Sequence, residues 1–417
     1  MNRYPQTTSS GDALPLSEPA RALAELGDCV LCDAARNAER EYLARLGIPA
    51  RRASHAEAIA DAFGYCAAHA RQLGSRSSPE LRALFGRAAQ LLGEWLEHDA
   101  SKNDRLRGAL FDAANSCPAC AFREQRIARR IGALQSRRSE AAIEAAGRAL
   151  CAPHYRTLVS VSPASWLSTL ARGQIARTHA LDEALRHAVS NDALLTETVL
   201  RACAGLPTGE TDQGTGLRER VDCHVCLATA HALFHWTHGV RDGARLGVEV
   251  ITAYPTCGAH LWICARLGDA RLARRIVRHA VDELAHMLQG GLAAIVADEK
   301  RLQREAQSVW YRRKSPSYLL GLRRKAVTRV RRCPACECRD VACDRAVGEL
   351  LDRLRESSHR AALERGLCAK HFARAYIVAT KGPVREALLA VELKELAALA
   401  NGTALSHDAV RRFSPLV

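Results

Sequence analysis

Aromatic residues make up only 5% of the 417-residue chain, and no stretch alternates β-branched with polar residues over the length of a strand. Strands draw on such residues, so their scarcity argues against a β-rich fold. No uncharged run approaches the roughly 20 residues of a membrane helix, because Arg or Asp interrupts even the alanine-rich segments every few residues. The start of the chain, Met1 to Ser10, has no basic segment followed by an apolar one, so the pattern of a secretory leader is missing and a reducing, cytoplasmic setting is expected. Also missing are a Gly-x-x-x-x-Gly-Lys-(Ser/Thr) loop, a Gly-x-Ser-x-Gly elbow and a Gly-x-Gly-x-x-Gly turn between a strand and a helix. No catalytic constellation stands out, and no catalytic residue is assigned.

What remains is helix-forming. Ala, Leu, Arg and Glu dominate, and 48% of residues are hydrophobic, enough for sizeable cores in an all-α protein. Glycines and capping residues mark the first elements: Cys32 to Leu46 closed by Gly47, a short helix capped by Ser54 and closed by Gly64, a helix from about Cys66, and a longer one from Pro79 to His98. Residues 1–16, rich in Ser, Thr, Pro and Gly, read as a disordered tail. Two pairs of repeats are expected at 17–204 and 219–400, joined by a Pro- and Gly-bearing loop at 205–218 and followed by a C-terminal tail at 401–417. The net charge of +15 is unevenly spread. Residues 1–100 carry 11 Lys and Arg against 13 Asp and Glu, whereas residues 301–417 carry 24 against 12.

The repeats are defined by twelve of the chain's sixteen cysteines together with four histidines. Four units recur: Cys29-Val-Leu-Cys32 with Cys66-Ala-Ala-His69, Cys117-Pro-Ala-Cys120 with Cys151-Ala-Pro-His154, Cys223-His-Val-Cys226 with Cys257-Gly-Ala-His260, and Cys333-Pro-Ala-Cys336 with Cys368-Ala-Lys-His371. Between the halves lie 33, 30, 30 and 31 residues, room for a helical excursion and return. Each unit is then expected to be a Cys-x-x-Cys helix, a short hairpin, a Cys-x-x-His helix and a long helix. Two ligands three residues apart at the start of a helix project to one side and can reach one ion, and the positive end of the helix favours thiolate over thiol.

Three thiolates and an imidazole form a closed tetrahedral set, the usual way structural zinc is held, so about four Zn2+ ions are expected. Iron–sulfur clusters are the alternative, since Cys-Pro dipeptides also occur beside them. Covalent haem attachment is excluded, because each Cys-x-x-Cys is followed by Asp33, Ala121, Leu227 or Glu337 and never by His. The simplest closure keeps each donor set inside its own unit, so that Cys120 and Cys151 share an ion; spacing alone leaves open an exchange of halves between units. The residue four after each histidine is apolar (Leu73, Leu158, Cys264, Ala375) and is expected to face the core.

These motifs resemble an uncharacterised family of bacterial helical proteins of unknown function, which carry Cys-Pro-x-Cys and, some tens of residues later, Gly-(Phe or Tyr)-Cys-x-x-His. Gly64-Tyr65-Cys66-Ala67-Ala68-His69 and Cys333-Pro334-Ala335-Cys336 are most similar to that pattern, while Ala149-Leu150 and Pro255-Thr256 depart from it before the third cysteine. The resemblance implies a helical metal-binding fold and brings no activity with it.

Three further features invite a function. His231, His235 and His238 share one face of a helix and can bind a further metal or a haem, or simply form an amphipathic stripe beside Phe234 and Trp236. Cys338 and Cys343 follow the fourth Cys-x-x-Cys closely enough to extend its ligand set, or serve as small buried residues. The segment 310–332 holds nine basic residues and no acidic one, which suits a nucleic acid, anionic lipid, an acidic protein or plain solvent. The composite expectation is a non-enzymatic, zinc-bearing helical scaffold or adaptor that contacts a macromolecular partner, most simply a protein. An iron–sulfur electron carrier and a nucleic-acid-binding protein using residues 312–332 are the alternatives.

Overall fold

The computed structural model describes residues 29–74, 78–99, 117–136, 139–187, 193–205, 223–245, 257–267, 270–306, 333–355, 367–379, 382–402 and 413. The expected N-terminal tail, most of the 205–218 loop and the basic segment 310–332 lie outside them. Among the described residues the fold is all-α, with no strand.

The first unit consists of α1 (Val30–Arg45), α2 (Arg52–Asp61), α3 (Ala67–Gly74) and α4 (Pro79–Asp99). The second repeats that order as α5 (Pro118–Gln135), α6 (Glu140–Ala149), α7 (Ala152–Val161) and α8 (Leu167–His187), with α9 (Ala193–Ala204) added. The third contributes α10 (His224–Arg245), α11 (Gly258–Arg266) and α12 (Ala270–Ala306), and the fourth α13 (Pro334–Arg355), α14 (Ala369–Val378) and α15 (Pro383–Ala400). Ser54 does not cap α2. A 3-10 turn over Pro49–Arg51 runs straight into the helix at Arg52, so Ser54 lies within its first turn and its hydroxyl donates to the Arg51 carbonyl at 3.0 Å. Proline at the first position of that turn, with its preset φ, starts the segment instead.

The helices close a cycle of contacts. The Cys-x-x-Cys helices pair as α1 with α5 and α10 with α13, whereas the long helices pair as α8 with α12 and α4 with α15. Two large cores follow from this. One joins Ile59, Phe63, Leu84, Phe85 and Leu92 to Val347, Leu350, Phe372 and Leu396; the other joins Tyr155, Leu158, Leu170 and Leu181 to Trp262, Ile276 and Val281. Each core therefore draws on both sides of the 205–218 segment. Leu73, Leu158, Cys264 and Ala375, the residues four after each histidine, are all buried as their register requires.

Helices α6 and α8 approach each other across two glycines. A β-carbon on Gly173 would stand 2.2 Å from the Glu144 carbonyl oxygen, and one on Gly147 would stand 2.4 Å from that of Leu170. Gly→Ala in a helix interior ordinarily stabilises by roughly 0.5–1 kcal/mol. At Gly173 the sign reverses: Gly173→Ala is expected to lower stability by about 1–3 kcal/mol, as overpacking does, while Gly132→Ala, where a β-carbon meets nothing within 4 Å, raises it. Urea midpoints of the two variants check this contrast.

Candidate metal centres

The first cysteine of every half-motif caps a helix. Where the cap geometry is defined, at Cys29, Cys117, Cys151, Cys257 and Cys368, the backbone is extended. In all eight half-motifs the carbonyl of that cysteine accepts the first helical hydrogen bond, from Asp33, Ala70, Ala121, Tyr155, Leu227, Leu261, Glu337 and Phe372 at 2.8–3.1 Å. A residue at the cap and one three places on face the same side of the helix start. The second Cys or His of each motif thereby stands beside the first, over the positive end of the helix.

All sixteen expected ligand residues gather into four Cys3His groups, and within each group the donor atoms lie within 4.8 Å of one another. The halves are exchanged. Centre I consists of Cys29, Cys32, Cys151 and His154; centre II of Cys66, His69, Cys117 and Cys120; centre III of Cys223, Cys226, Cys368 and His371; centre IV of Cys257, His260, Cys333 and Cys336. Closure within each unit is thus overturned, and Cys120 and Cys151 belong to different centres.

Helix length explains the exchange. The 16 residues of α1 extend about 24 Å at 1.5 Å per residue. The 10 residues of α2 return only about 15 Å. The chain therefore arrives with Cys66 and His69 beside the middle of α1, far from Cys29. Helix α5 runs antiparallel to α1, with Phe122 against Tyr42 and Ile127 near Cys32, so the start of α5 meets His69 and the end of the excursion in unit two meets Cys29.

Centre I places Cys29, Cys32 and Cys151 Sγ at 3.4, 3.3 and 3.2 Å from His154 Nδ1, with Cys32 and Cys151 3.6 Å apart. In centre II, Cys66, Cys117 and Cys120 stand 3.1, 3.5 and 3.5 Å from His69 Nδ1, and Cys66 is 3.7 Å from Cys120. Centre III has 3.4, 3.2 and 3.2 Å from Cys223, Cys226 and Cys368 to His371 Nδ1, and 3.8 Å between Cys226 and Cys368. Centre IV has 3.0, 3.5 and 3.4 Å from Cys257, Cys333 and Cys336 to His260 Nδ1, and 3.7 Å between Cys257 and Cys336. A tetrahedron with metal–sulfur bonds of about 2.3 Å and a metal–nitrogen bond of about 2.0–2.1 Å has edges of about 3.8 Å between sulfurs and about 3.5 Å from sulfur to nitrogen. The three sulfur–nitrogen separations and the one sulfur–sulfur separation given for each centre match those edges to within about half an ångström, and the remaining sulfur pairs lie within 4.8 Å.

The electrostatics fit a cation equally well. In centre II burial pushes the Cys117 thiol up, but Cys120, Cys66 and His69 beside it pull it well below the ordinary thiol range; Cys120 is driven far above that range by Cys117 and Cys66. The same division separates Cys29 from Cys151 and Cys333 from Cys336, through contacts among the cysteines themselves. Three sulfurs this close do not all ionise on their own. A divalent ion among them lets them do so, since coordination deprotonates a thiol outright. These groups can hold metal ions, and none of the sixteen cysteines is in a disulfide.

The other features resolve differently. His231 and His235 are exposed on α10 and His238 is half-buried, with its ring 3.9 Å from that of Phe234, and the three do not form a metal-ligand group. The expected stripe is a solvent face at its first two histidines. Cys338 is half-buried with its sulfur 3.8 Å from the Ala232 carbonyl, and Cys343 is buried; neither joins the centre IV set. A cavity of about 500 Å3 lies beside centre I, its lining including Cys32, His154, Ile127, Glu39 and Arg123. Glu39 escaped sequence reasoning, although its register, ten residues after Cys29, is readable there. No helix of the described residues is long and apolar enough to cross a membrane. No protein-family model matches the chain, and no curated protein or solved structure matches it either.

Proposed function

We propose that the chain is a non-enzymatic helical scaffold held together by four structural zinc ions, presenting its surface to a macromolecular partner. The carrying observation is the donor geometry: four sets of three thiols and one imidazole nitrogen spaced as the edges of a single-ion tetrahedron. Such a set is closed, leaving no position for a reacting water. An iron–sulfur cluster distributes its ligands over two or more irons with bridging sulfides between them, which spreads the donor atoms further than one shared ion does. Exchange of halves adds a role for each ion, since every centre ties two units together, and the ligands supply binding free energy on the order of 10–16 kcal/mol per site that couples to folding. The basic stretch 310–332 is the part of the sequence we assign to an acidic partner, on charge alone.

Elemental analysis of the anaerobically purified full chain, with its visible spectrum, tests this reading. Four zinc ions per chain and a colourless solution are expected. A brown protein that bleaches on reduction, with iron and acid-labile sulfide, would replace zinc by the electron-carrier alternative.

A further inference from the structure

The four centres share a ligand set but differ behind the histidine. In centre II, His69 is 1% exposed, turns Nδ1 towards the three sulfurs and has its buried Nε2, which makes no hydrogen bond in this arrangement, 3.4 Å from Glu39 Oε1. That carboxylate oxygen is itself held by Arg123 Nη1 of the second unit at 3.1 Å. Glu39 stands ten residues after the first cysteine of its unit, on the helix that passes behind its own unit's histidine. The residues at that register in the other units are Ile127, Leu233 and Cys343. Ile127 lines the cavity beside His154, Leu233 packs near Cys333 and Cys257, and Cys343 lies against His371. Two of the three have no hydrogen-bond acceptor, and a thiol is a weak one.

Resting on the zinc reading, we infer that Glu39 is a positioning residue that sets centre II apart by accepting the His69 Nε2 proton and fixing the ring from behind. A carboxylate there dictates the tautomer, leaves Nδ1 unprotonated towards the ion and raises its basicity. Arg123 in turn holds the carboxylate in place, so the second unit steadies a histidine of the first. The ion of centre II is then held more tightly than an equivalent ion in centres I and IV, where the same register is apolar. Removing such an outer partner weakens metal affinity by roughly 10–100-fold.

The test is competition of the zinc-loaded full chain against a chromophoric chelator, with ions counted as they leave. Glu39→Gln keeps shape and volume, and is expected to move one ion of the four to about 10–100-fold weaker binding. Glu39→Asp, with a shorter carboxylate, should fall between. In a Cys66→Ala background, which removes centre II, Glu39→Gln should change nothing further, an outcome a general structural role would not produce. Four bound ions with superimposable release curves for wild type and Glu39→Gln overturn the role of Glu39 and leave the zinc reading standing. A chain that carries no zinc and takes none up overturns both.

Discussion

The double variant Cys32→Ala/Cys151→Ala is expected to lose one ion, the same one that either single variant loses, whereas Cys120→Ala/Cys151→Ala loses two. The contrast follows from the exchange of halves: Cys32 and Cys151 face each other at 3.6 Å in centre I, while Cys120 stands 3.7 Å from Cys66 in centre II. Elemental analysis of the four variants reads it directly. Stability should follow the same logic, because changes that destroy one shared site cannot add, while changes at separate sites do. The scale is large. A zinc site contributes on the order of 10–16 kcal/mol of apparent binding free energy, and a whole domain retains only about 5–15 kcal/mol of net stability. Loss of centre I should therefore loosen both of the first two units, seen as lost amide protection in α1 and α7 together. A Cys120→Ala/Cys151→Ala protein that lost one ion would restore closure within units and remove the exchanged arrangement.

Replacing Phe413 by Ala is expected to destabilise by about 3–5 kcal/mol, the range for truncating a buried Phe, although it lies near the end of a segment that sequence alone marks as a tail. Its side chain is fully buried and stacked on Phe85, with ring centroids 5.8 Å apart and planes 18° from parallel. Its carbonyl accepts a hydrogen bond from the Tyr65 backbone N–H at 2.7 Å. Gly64, immediately before, adopts φ +103°, and a β-carbon there would lie 1.9 Å from that same carbonyl oxygen. Residue 413 thus closes over the turn that delivers Cys66 to centre II. The denaturant midpoint with zinc saturating checks the prediction. An unchanged midpoint would mean that Phe413 does not dock. Two neighbouring arginines and a Pro soon after make Phe413 resemble any exposed chain end, which is why sequence did not identify it.

The sequence by itself determined the all-α class and the place of the sixteen Cys and His residues of the repeats at helix starts, because these depend on local properties: helix propensity, cap geometry and the register of residues three and four apart. It also determined the burial of Leu73, Leu158, Cys264 and Ala375, one turn beyond each histidine. Only the tertiary structure decided which Cys-x-x-Cys meets which Cys-x-x-His. In the first two units a return helix shorter than the outward one leaves the unit unable to close on itself, and the antiparallel neighbour supplies the missing pair. It likewise decided that Glu39 stands behind His69 and that each core draws on both halves of the chain, since contacts between residues far apart in sequence depend on how helices cross and not on any local pattern.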